Sequence, residues 1–194
     1  ASEIVAAFEI VGSKRPELLK NAQALAEVTK AAIILSEATG GKLGLEDAAN
    51  SVTAALNQFG LQSSQATRII NALAAGSKFG AANITLVSQA IDVFGAVAQN
   101  ANITLEQSVE LTELLAEKNV IGAEAGTKLR NVILFLQKEQ ENYINGVFDL
   151  NLALDNLSKK SDDSIALLDQ FGKQNIVAAA IIAKNVEKYN LPLV

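Results

Sequence analysis

Three acidic groupings in this chain could do proton chemistry: Glu46-Asp47, Asp162-Asp163 and the Glu139/Glu141 pair. Two convergent carboxylates can share a proton, which is how paired acids act as general acid and base. Neighbouring residues on a helix, however, point in different directions and cannot converge on one proton. Asp162-Asp163 follows Ser161 at an expected helix start, where negative charge favours the helix dipole and a side-chain oxygen caps free N–H groups. Capping is therefore the reading for that pair.

The rest of the inventory offers less. The chain has no histidine and no cysteine. The commonest general base, the commonest metal ligand and thiolate chemistry are all removed. Only an oxygen-ligand metal site remains conceivable, and no acidic loop has the spacing for one. Serine and threonine are plentiful, but a nucleophile needs an activating base. Gly40-Gly41-Lys42 lacks the spacing of a phosphate-binding loop. The expectation is no catalytic residue, no cofactor-binding residue, no metal ligand and no enzyme.

Net charge is −5. Basic residues are scattered, with Lys14-Arg15 and Lys159-Lys160 the only adjacent pairs, so no stripe tracks a phosphate backbone and nucleic acid is not an expected partner. The longest apolar run, Ile176 to Ala183, is far shorter than the roughly 20 residues of a membrane span. No membrane contact is expected from this segment. Three Asn-x-Ser/Thr sequences begin at Asn83, Asn102 and Asn156, but without a secretion signal they are not read as glycosylation sites.

The elements that position these residues are helical. Leu45, Ala48, Ala49, Val52, Leu56 and Phe59 fall on one face at helical spacing, as do Leu129, Val132, Ile133 and Leu136. Alanine is abundant, and proline occurs only at Pro16 and Pro192. Start and stop signals predict about ten helices: 3–11, 16–38, 45–59, 63–75, 86–100, 105–118, 123–142, 147–157, 163–171 and 175–189. Gly12, Gly40-Gly41, Gly60, Gly76 and Gly172 mark their ends, with Pro16 in a first turn. No alternating strand pattern of useful length appears. The fold class is all-α, a compact helical array or bundle. One pentapeptide, Ala82 to Leu86, recurs as Ala101 to Leu105. It reads as two helices started alike, with Thr85 and Thr104 as N-caps and Gln107 completing a capping box.

The most distinctive segment runs from Val120 to Arg130. Gly126 inside a helical pattern costs about 1 kcal/mol against alanine, which points to a neighbouring helix too close for a side chain. Thr127 can bond its own backbone one turn back. Arg130, four residues on from Gly126, reads as a satisfied arginine beside tight packing, with a partner-binding role as the alternative.

Gly122, Ala125, Gly126, Thr127, Leu129 and Arg130 also form the pattern G-x-x-A-G-T-x-L-R, which resembles a signature in the core region of phage tail tape measure proteins. Other stretches resemble that family in order: Glu27 to Ala32 with Leu35 to Gly40, Leu56 to Leu61, Asp169 to Gly172, and Ala178 to Ala180. The resemblance covers nearly all the chain. It implies structural work in phage or prophage virion assembly: occupying the tail lumen while tube subunits polymerise, with the whole protein's length setting the tail's length. The implied partners are tail tube protein, tail assembly chaperones and the baseplate end. The implied location is the bacterial host cytoplasm during assembly, then the virion tail lumen. No catalytic residues are implied. A helical protein-interaction scaffold unrelated to phage is the alternative reading.

A single helix of this length would reach roughly 290 Å, which the glycine breaks forbid. A compact chain has a radius of gyration near about 16 Å. Residues 1–194 are therefore read as one helical module of a longer chain, as the opening Ala1 suggests, rather than an extended ruler. A subdivision into a 1–142 core and 143–194 C-terminal helices is the expected internal boundary.

Overall fold

The computed structural model describes residues 2–189. It is an all-α array: α1 (Ser2–Lys14), α2 (Ala22–Ala38), α3 (Leu45–Gln58), α4 (Ala66–Phe79), α5 (Ile84–Asn100), α6 (Leu105–Ala116), α7 (Gly122–Leu136), α8 (Leu150–Ser158), α9 (Ser164–Lys184) and α10 (Val186–Tyr189). Two strands of two residues, β1 (Tyr143–Ile144) and β2 (Val147–Phe148), pair antiparallel between α7 and α8. The apolar face read from α3 packs inward: Ala48, Ala49, Val52 and Leu56 are fully buried.

Several boundaries differ from the sequence reading. The helix expected over 16–38 divides. Pro16–Lys20 is a 3-10 turn, and Asn21, in extended conformation, caps α2 by accepting from the Ala24 N–H at 3.1 Å. The helix expected over 123–142 ends at Leu136, because Asn142 turns back and its side-chain amide donates to the Leu136 carbonyl at 2.8 Å. The helix expected from 147 begins only at Leu150, capped by Asp149. In between, Asn145 and Gly146 both take positive φ, the backbone of a tight hairpin turn. Gly12 and Gly76 lie inside α1 and α4 rather than at helix ends, each where a neighbouring side chain presses on the glycine: Leu19 on Gly12 and Val109 on Gly76. At the second-last break, Gly172 adopts φ 69° and bends α9 between the two segments expected there. Pro192 lies outside the described residues.

The repeated pentapeptide is used in two ways. At its first copy Asn83 is the cap, accepting from the Leu86 N–H at 3.0 Å, so Thr85 falls inside the first turn. At the second, α5 runs to Asn100 immediately before, and Asn102 is drawn into the left-handed region (φ 55°) to close it. Ile103 N–H then reaches the Ala98 carbonyl at 2.8 Å. With Asn102 spent, Thr104 caps α6 and Gln107 completes the capping box.

Buried apolar residues fall into two clusters. The first joins α1 to α4 with Ile84, Val87 and Ile91 of α5 and Leu105, Val109 and Ala116 of α6. The second joins Ala90, Phe94 and Ala98 of α5 and Leu111, Leu114 and Leu115 of α6 to α7, α8 and α9. Helices α5 and α6 thus serve both. The second cluster draws residues from both sides of position 142, including Leu136 and Phe148.

Candidate functional site

Helix α7 carries the distinctive segment, and it presents three different surfaces. Gly122 and Gly126 face α5. A Cβ on Gly126 would overlap the Ala90 carbonyl oxygen and stand 2.9 Å from Val93 Cβ and 3.0 Å from Ala90 Cα. The two backbones therefore approach too closely for any side chain at that position. Gly122 adopts φ 60°, and a Cβ there would meet Gln89 Oε1 at 2.8 Å. Ala125 and Leu129 are fully buried in the second cluster.

The third surface is polar and meets α9. Lys128 Nζ donates to the Gln174 carbonyl, just past the bend at Gly172. Asn131 donates to Asn175 Oδ1 at 3.1 Å, and Asn175, itself buried, donates to the Phe171 carbonyl at 3.1 Å. Around the Gly172 bend the Phe171 carbonyl is thus met by Asn175 of α9 itself, and the Gln174 carbonyl by Lys128 of α7. Thr127 Oγ1 donates to the Ala123 carbonyl at 2.9 Å, one turn back as expected. Arg130 sits one turn after Gly126 on α7. It is exposed, with no ion pair or side-chain hydrogen bond to protein among the described residues.

The acidic pairs do not converge into a site. Glu46 and Asp47 lie exposed in the first turn of α3. Asp163 caps α9 by accepting from the Ala166 N–H at 2.9 Å. Glu141 lies 3.9 Å from Lys160 Nζ. Among the described residues no three carboxylates gather with the geometry of a metal site. Among them, too, no helix is long and apolar enough to cross a membrane.

Sequence reading missed one buried acid, Glu113 on α6. It is 8% exposed, and its Oε2 accepts from the Ala82 N–H at 2.9 Å, tying the α4–α5 connection to α6. Its Oε1 has no hydrogen-bond partner. Burial pushes its pKa up, partly opposed by hydrogen bonds from the Ala82 and Ala81 N–H groups, and nearby Glu117 adds to the rise. Gly76 and Gly80 leave room for this carboxylate: a Cβ on Gly80 would overlap it. The signal was present, since Leu105, Val109, Glu113 and Ala116 share one apolar face.

Apolar side chains also remain outside. On α1, Ile4, Val5 and Phe8 are exposed. On α9, Val177 is 59% exposed beside a groove of about 550 Å³. Among the described residues these geometries are helix-packing contacts and exposed apolar surface.

Comparison with known proteins gives the chain a family. A family model described as phage-related minor tail protein matches residues 1–183. No curated protein and no solved structure matches the chain. With its match spanning nearly the whole sequence, the chain belongs to the phage-related minor tail protein family.

Proposed function

We propose that this chain is a non-enzymatic structural module of a phage or prophage tail tape measure protein, acting in tail assembly. The observation that carries the reading is the family match over residues 1–183, joined to the Gly122–Arg130 segment set at a close helix contact. A phage-related family favours this over a helical scaffold unrelated to phage. The partners under this reading are tail tube protein and tail assembly chaperones, and the final location is the tail lumen.

The compact array adds a distinction. A continuous helix contributes about 1.5 Å of length per residue, whereas helices folded back on one another contribute little. The module is therefore not the ruler, although the protein containing it sets tail length. Tail length in electron micrographs, across a deletion series in the parent gene, tests both parts. Deletions outside this region should shorten tails in proportion to the residues removed. Deletion of this region should shorten them by far less than the roughly 290 Å of a helical ruler. Proportional shortening inside the region would mean the chain is stretched in the tail. Unchanged tail length after every deletion would overturn the tape measure reading.

A further inference from the structure

We propose that α1 of one copy of this chain docks in the groove beside α9 of another copy, giving a head-to-tail contact. The groove has an apolar floor of Ile176, Val177, Ala180 and Ile181, with Lys118 and Lys184 at its rim. Both lysines are exposed, and neither has an ion-pair partner among the described residues. An apolar strip between two free cations suits an apolar helix face bracketed by acids.

Helix α1 is such a face. Ile4, Val5 and Phe8 are exposed at helical spacing, with exposed Glu3 and Glu9 on either side. Neither glutamate has an ion-pair partner among the described residues. The lengths also match. Ile4 to Phe8 spans about 6 Å along a helix axis, and Ile176 to Ile181 about 7.5 Å.

Both halves lie on one chain, yet they do not meet within it. Helix α1 packs on α2 and α3 in the first cluster, and its Ile4–Phe8 face stays exposed. The groove belongs to the second cluster. Two different patches that complement each other between copies make a heterologous contact, which builds a ring where the rotation closes and an open array where it does not. The contact is small, so it is weak for a single pair.

Analytical ultracentrifugation of the chain and its charge-reversed variants tests this, with circular dichroism as the check that each variant is folded. The wild-type mass should rise above the 20.4 kDa monomer as concentration approaches the order of 1 mM. Lys118→Glu with Lys184→Glu should weaken association by at least about tenfold, as should Glu3→Lys with Glu9→Lys. Mixing those two double variants should restore it, because each supplies the partner that the other has lost. A wild type that stays monomeric overturns the proposal. So does a groove reversal without effect, which would point to α1 pairing with α1, and so does a mixture that fails to associate.

Discussion

The two buried clusters are built from different materials. Among its buried members the first is dominated by small and medium residues, with Ala31, Ala32, Ala48, Ala49 and Ala55 alongside Val28 and Val52 and no aromatic ring. The second holds Phe94, Phe148 and Phe171, and Phe135 packs edge-on to Phe171 with ring centres 5.8 Å apart. Small side chains let helix axes approach, so that region depends on what is absent from the interface. Rings fill volume, so the other depends on what is present. The two should consequently fail differently: the first by overfilling, the second by emptying, except where Gly126 of α7 meets the α5 backbone at Ala90 and overfilling applies there too.

The largest effect should come from emptying the ring-filled cluster. Phe171→Ala should cost about 3–5 kcal/mol, measured by chemical denaturation, because the ring is buried and its neighbours cannot collapse fully into the space. A loss below about 1 kcal/mol would erase the contrast between the clusters. Overfilling comes next. Gly126→Leu should cost about 1–3 kcal/mol, because the added atoms meet the α5 backbone rather than a movable side-chain end. Ala48→Leu, in the first cluster, should fall in the same range of about 1–3 kcal/mol. If either melted at the wild-type temperature, close approach would not be what holds that interface.

A smaller effect sharpens the comparison at α5, the helix both clusters share. Asn83→Ala should cost about 1 kcal/mol through loss of the cap. Thr85→Ala should change stability by less than about 0.5 kcal/mol, since Thr85 caps nothing. The reverse ranking would show that the second copy of the pentapeptide had been the better guide to the first.

The smallest effect concerns Glu113, where α6 passes between the clusters. Its folded-state pKa lies above the ordinary carboxylate value, so ionisation is penalised in the folded chain. The penalty is complete above the raised pKa and disappears as pH falls to the unfolded value. Glu113→Gln keeps an acceptor for the Ala82 N–H and removes the charge. It should equal or exceed the wild type in stability at pH 7, with the difference shrinking as pH falls towards 4.5, the unperturbed value. Denaturation curves at several pH values check this; a variant less stable at pH 7 than at pH 4.5, relative to wild type, would contradict it.

Periodicity made the helices legible because each must bury one face. The α3 face and the Leu129–Leu136 face were readable residue by residue. Glycines were legible as punctuation where φ is positive, at Gly40, Gly41, Gly60 and Gly172. They misled at Gly12 and Gly76, because a glycine absent of side chain for packing looks the same in sequence as one chosen for a turn. The Asn145-Gly146 hairpin escaped because its strands are two residues long, too short to show alternation. Gly126 could be placed against a neighbour, but not against α5 in particular, since a one-dimensional pattern does not name the other helix.

The sharing of α5 has a mechanical consequence. Helices α1 and α9 each belong to one cluster, whereas α5 has residues in both. A pull on the two ends of the described chain would reach α1 and the α9–α10 end first, while the main neighbours of α5 are α7, α6, α3 and α4. Resistance to stretching is thus graded from the ends inward, with the glycine-close pairing of α5 and α7 the last to yield. A chain drawn lengthwise would pay out slack in stages before its centre gave way.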